Sequence, residues 1–208
     1  MVPGGSAVVT SLTGMPTAAA CFLLPFGVVL YTYVGGLKAT FLTDFVHTVF
    51  ILIIILVFAF TVYATSNKLG SPKIVYDRLI DAATRHPVDG NAEGSYLTMR
   101  SYEGVIFFVI NIVGNFGTVF VDAGYSQKAI AANAASALSG YILSGFAWFG
   151  IPWLCATTMG LAALALETDP QFPTSPNTIP DHDISLGLVL PYAAVTLLGS
   201  GGAVATLL

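Results

Sequence analysis

The run from Val49 to Phe60, VFILIIILVFAF, constrains the chain more than any other stretch. A helix of this sequence is apolar on every face, which is stable only inside a large core or in lipid. With its flanks it forms a span from Leu37 to Ala64. Four more stretches, at about 16–34, 101–132, 138–166 and 186–208, approach or exceed the roughly 20 residues that cross a hydrocarbon core of about 30 Å. Charged residues make up only 9% of the chain, against roughly 25% in soluble proteins. The expected class is therefore an all-α, polytopic membrane protein, with polar loops at 65–100 and 167–185.

The same features exclude other classes. A net charge of -4, with 7 basic residues, offers no basic field for nucleic acid. Cys21 and Cys155 stand alone in apolar runs without CxxC spacing, so neither a disulfide framework nor a zinc site is expected. Asp181-His182-Asp183 has metal-ligand chemistry, but no second cluster supports it. No P-loop, GxSxG or HExxH motif occurs, and no enzyme is expected. The start, MVPGGSAVV, lacks the basic region of a signal peptide, and the end, VATLL, stops within an apolar run. The chain thus reads as part of a longer protein.

In chain order, residues 1–15 are small and polar and remain unassigned. Pro25 should kink the first span, and Gly35-Gly36 should make a tight turn before the second. Asp44 and His47, three residues apart, share a face near the start of that second span. Ionisable groups there point to the bundle interior or a water path, or else to ordinary polar residues at headgroup level. Within the first polar loop, PKIVYDRLIDAAT at 72–84 predicts a short amphipathic surface helix.

The third span contradicts itself. From Val105 to Val113 it is apolar apart from Asn111, and then Gly114-Asn115-Phe116-Gly117-Thr118 brings two glycines, an amide and a hydroxyl. Glycine weakens a helix interior by about 1 kcal/mol against alanine, so a break is expected at 114–118, with Asp122 one turn beyond it. Unwound backbone at membrane depth must be buried in protein or line a water-filled cavity, as transporters use it. A continuous helix whose glycines serve packing is the alternative, with Asp122 as a partner for Lys128.

VGGLKATFLTD at 34–44, NIVGNFGTVFVDAGYSQKAIAA at 111–132 and GYILSGFAWFGIPWLCATTMGLAALALE at 140–167 together resemble the sodium/solute symporter family, most closely its urea active transporter branch from fungi and plants. The resemblance covers the chain from about Thr17 onward. It implies part of a fold of two inverted five-helix repeats, with the remaining helices outside this chain. It implies a solute site that includes Asn115 and Thr118; Phe116 and Gly117 of the same interrupted stretch, and Asp122 one turn beyond it, are candidates from the residues themselves. Asn115 stands where sugar-transporting relatives carry an amide. Thr118 replaces their aromatic hydroxyl, which fits a solute smaller than sugar. Asp44 matches an aspartate on the sodium route, whereas His47 stands where the family has Gln, leaving a proton role or a merely polar one open.

The function implied is cation-coupled (Na+ or H+) uptake of urea by alternating access, in membrane lipid, with no cofactor beyond the coupling ion. The plasma membrane is the expected location. Alternatives are another small solute, such as a polyamine, or a structural or sensing membrane domain. Loop 65–100 holds five of the basic residues, Lys68, Lys73, Arg78, Arg85 and Arg100, so a positive-inside count places it in the cytoplasm; the resemblance implies the opposite side.

Overall fold

Backbone polar groups at membrane depth have no water to bond, so apolar stretches of this length fold as helices. The computed structural model describes residues 2–207, leaving aside the side chains of 2, 3, 151 and 152. Its helices are α1 (Val2–Thr13), α2 (Thr17–Phe60), α3 (Pro72–Arg85), α4 (Tyr102–Val121), α5 (Ala123–Ala131), α6 (Ala134–Leu166), α7 (Asp181–Ser185), α8 (Val189–Leu198) and α9 (Ser200–Leu207). Among the described residues the only strand-like pairing is one isolated bridge, Asn91 to Ser101. Residues 1–15, unassigned from sequence, supply α1.

Among the described residues three helical stretches are long and apolar enough to cross a membrane: Thr17–Thr65 with 49 residues, Tyr102–Val121 with 20 and Ala134–Leu166 with 33. The first would measure about 74 Å if straight, more than twice a hydrocarbon core. It is divided at Gly36, whose φ of 53° and ψ of -147° are open to glycine and strained for other residues. The tight turn expected at Gly35-Gly36 is thus a single-residue break with helix on both sides. Pro25 sits inside the first arm, where Gly36 alone leaves helical dihedral angles. The second arm ends in a π turn at Thr61–Thr65.

The chain divides into two units, one of Met1–Tyr76 with Trp153–Leu208 and one of Asp77–Pro152. The first unit is organised on the end of the second arm of α2 and the C-terminal part of α6. Its buried side chains include Ile55, Phe58, Val62, Leu69, Met159 and Leu166. Lys68 Nζ reaches Asp169 Oδ1 at 3.1 Å and Gln171 Oε1 at 2.9 Å, tying the loop after α2 to the loop after α6. Those two helix ends therefore lie on one side of the membrane, as two intervening crossings require. Glu167 is buried there, and its Oε1 accepts from the Ile179 amide at 3.4 Å.

The fifth span, expected to run unbroken from Leu186, is instead two helices. Gly199, at φ 58°, turns the chain sharply, and α9 lies against α8. The approach is so close that a Cβ at Gly202 would collide with the Ala194 carbonyl. The glycine cluster at 199–202 thus both turns the chain and admits a close contact.

In the second unit, Arg85 pairs with Asp81 one turn back on α3, at 3.3 Å, and Ser101 Oγ caps α4 by accepting from the Gly104 amide at 2.9 Å. Helices α4 and α5 bury no side chain, and large apolar residues such as Phe107, Ile110 and Val113 stand more than 60% exposed. Those faces suit lipid or further helices.

Two measurements check this architecture in the complete membrane protein. Gly36→Ala should destabilise it by about 1–3 kcal/mol in a thermal or denaturant melt, the typical strain of forcing such a backbone conformation; an unchanged melt would mean that the helix is not broken there. Lys68→Glu should cost about 1 kcal/mol and Asp169→Lys added to it should recover most of the loss, since the pair is partly shielded from solvent.

Candidate functional site

Helix α4 runs without interruption through Gly114–Thr118, so the break expected there is not where the span opens. Two side chains reinforce the ladder at that point. Asn111 Nδ2 donates to the Phe107 carbonyl at 2.9 Å, and Thr118 Oγ1 donates to the Gly114 carbonyl at 2.8 Å. Such back-bonding is compatible with a continuous helix, and the helical pairing outweighs the modest cost of two glycines.

The break lies at Asp122, whose φ of -79° and ψ of 108° are extended. Its amide closes α4 on the Thr118 carbonyl at 2.9 Å, and its Oδ1 opens α5 by accepting from the Gly124 amide at 2.7 Å. Aspartate is among the preferred residues for this capping role, because its carboxylate satisfies an orphan N–H. Lys128 sits in the last turn of α5, where a cation complements the carbonyl end of the helix. Two residues later Asn133 repeats the device, its Oδ1 accepting from the Ala135 amide at 2.9 Å to start α6.

At 3.6 residues per turn, Asn115, Thr118 and Asp122 fall on one face of α4, and so does Asn111. The four make a polar stripe about 16 Å long along an otherwise apolar span, ending at the break. Asn111 was missed as a candidate, although the spacing 111, 115, 118, 122 is helical and legible in the sequence. Phe116 belongs to another face, where its ring meets Phe120 edge-on at 4.9 Å. Gly117 also lies off the stripe. Asn115, Thr118 and Asp122 are exposed within this chain.

Below the break, α4, α5 and α6 enclose an open cavity of about 610 Å³ lined by Phe120, Tyr125, Ser126, Tyr141, Ser144 and Trp148 among others. The stripe residues do not line it; they look to a different side of α4. Asp44 and His47 belong to the other unit. Both are exposed, one turn apart on α2, and the Asp44 carbonyl accepts from Thr48 Oγ1 at 2.7 Å.

Asp181-His182-Asp183 is used structurally. His182 Nδ1 lies 3.6 Å from Asp183 Oδ1, and Asp183 Oδ2 accepts from the Tyr192 hydroxyl at 2.9 Å. Among the described residues no group of three His, Cys, Asp or Glu side chains is arranged to hold a metal. Cys21 and Cys155 are free thiols.

The chain is 65% identical over 205 residues to the probable urea active transporter 1 of Schizosaccharomyces pombe, covering 99% of this chain and 31% of that protein. It is 58% identical over 208 residues to the urea active transporter of Saccharomyces cerevisiae, covering 100% and 28%. It is 48% identical over 216 residues to the urea-proton symporter DUR3 of Oryza sativa subsp. japonica, covering 97% and 29%. The chain thus spans less than a third of the length of these relatives. No solved structure matches it. Residues 1–201 match the family described as Sodium:solute symporter family. With three apolar helices of spanning length and that match over nearly its whole length, the chain is an integral membrane protein and belongs to the sodium:solute symporter family.

Proposed function

We propose that this chain serves secondary active transport of urea across the plasma membrane, driven by a sodium or proton gradient. The observation that carries the reading is the break at Asp122, reached by a polar stripe within a membrane span. The names of the relatives, urea active transporters and a urea-proton symporter, support the choice of solute.

Urea is planar and neutral, with two amino donors and one carbonyl acceptor. A break in a span frees carbonyls at the end of one helix and amides at the start of the next. In this reading the Asp122 carboxylate and the Asn115 and Thr118 oxygens accept from the urea amino groups, while Asn115 Nδ2 donates to its carbonyl. Asn111 extends the same path by one turn. Phe116 and Gly117 keep the helix in shape rather than touching solute. Polar residues within a span face the bundle interior, so the opposite wall of the site belongs to helices beyond this chain. Asp44, with His47 beside it, lies on the cation path. One elementary charge moving down 100 mV supplies about 2.3 kcal/mol, enough for roughly 50-fold accumulation.

The test is labelled-urea uptake by the complete transporter in cells that lack their own uptake. Collapsing the driving gradient, sodium and pH being varied separately, should abolish accumulation; accumulation indifferent to both would overturn the coupling. Asp122→Ala should lower apparent urea affinity about tenfold or more, the typical effect of removing a charged hydrogen-bond acceptor. Phe116→Leu, off the stripe, should leave affinity within about twofold.

A further inference from the structure

The segment after the break is held from a second direction. Tyr141, in the third turn of α6, donates from its hydroxyl to the Tyr125 carbonyl at 3.1 Å. Tyr125 is the third residue of α5, one position past the Gly124 amide that Asp122 caps. Two anchors thus converge on three residues: a carboxylate from the end of α4 and a phenol from α6. Their effects differ. The Asp122 cap is local and sets where α5 begins, whereas Tyr141 spans 16 residues and links α5 to a separate helix beside the cavity that both tyrosines line. Asn133 completes the constraint by capping α6 immediately after α5 ends.

We infer that Tyr141 is a positioning residue for transport: its hydrogen bond to the Tyr125 carbonyl locks α5 to α6, so that the pair moves as one arm about the Asp122 hinge. Extended backbone at Asp122 provides the pivot, since no helical hydrogen bond there crosses from α4 into α5 beyond the caps. With the latch closed, α5 holds the broken end of α4 in the geometry that meets solute. With it open, α5 swings independently and the cavity flanked by Ser126 and Ser144 changes shape. The inference rests on the urea reading for its transport readout and stands apart from it for its structural one.

The experiment uses the complete transporter and the variant Tyr141→Phe, which keeps the ring and removes only the donor. In uptake assays the apparent KM for urea should rise about fivefold, the effect of one neutral hydrogen bond, with surface abundance unchanged. In parallel, Ser126→Cys in a background without other reactive cysteines is labelled in membranes with a small maleimide. Its labelling rate should rise about fivefold when Tyr141→Phe is added, while a reporter at Met99→Cys, exposed and outside the arm, stays constant. An increase at both reporters would mean general loosening and would overturn a positioning role, as would an unchanged rate at Ser126→Cys with unchanged KM. If the parent transporter takes up no urea, the solute reading falls while the labelling pair still decides the latch.

Discussion

A helix can stop inside a membrane only if something other than water takes up its last carbonyls and the next amides. In this chain the Asp122 carboxylate meets that demand, accepting from the Gly124 amide just where α4 ends. The start of α5 depends on this one hydrogen bond. It fixes where α4 ends, gives α5 its start and leaves a carboxyl group at the end of a stripe formed with Asn111, Asn115 and Thr118.

Each unit is held together in its own way. The first unit is fixed by packing, with Val62, Leu69 and Leu166 essentially inaccessible, and by the Lys68 pairing that joins two loops. The second unit has open, largely apolar helices whose positions depend on capping by Ser101, Asp122 and Asn133 and on the Tyr141 bond. Low local packing is the usual mark of elements that move.

The helical class was legible because length and apolarity leave the backbone few choices. The division at Gly36 and the amphipathic α3 were legible too, from a glycine pair and from a periodic pattern. The location of the break was not. Gly114 and Gly117 drew attention because glycine weakens soluble helices, yet in this span Thr118 and Asn111 bond back to the helix and keep it whole. Asp122 broke it instead, because its acceptor offers the freed amides an alternative that glycine lacks. The turn at Gly199 escaped for a related reason: a run of small residues reads equally as a packing face and as a turn, and only the approach of Gly202 to Ala194 separates the two. Of the solute candidates, Asn115, Thr118 and Asp122 share a face, whereas Phe116 and Gly117 were carried in by sequence adjacency, which on a helix does not mean a shared direction.

The most direct test is residue-resolved hydrogen exchange over 104–131 in the complete transporter, embedded in lipid, with and without urea. The account predicts strong protection from Phe107 to Phe120, exchange faster by orders of magnitude at Ala123–Ser126, and slowing of that segment alone when urea is added. Uniform protection from Gly104 through Ala131, unaffected by urea, would mean an unbroken rod with no opening for a solute, and would contradict it.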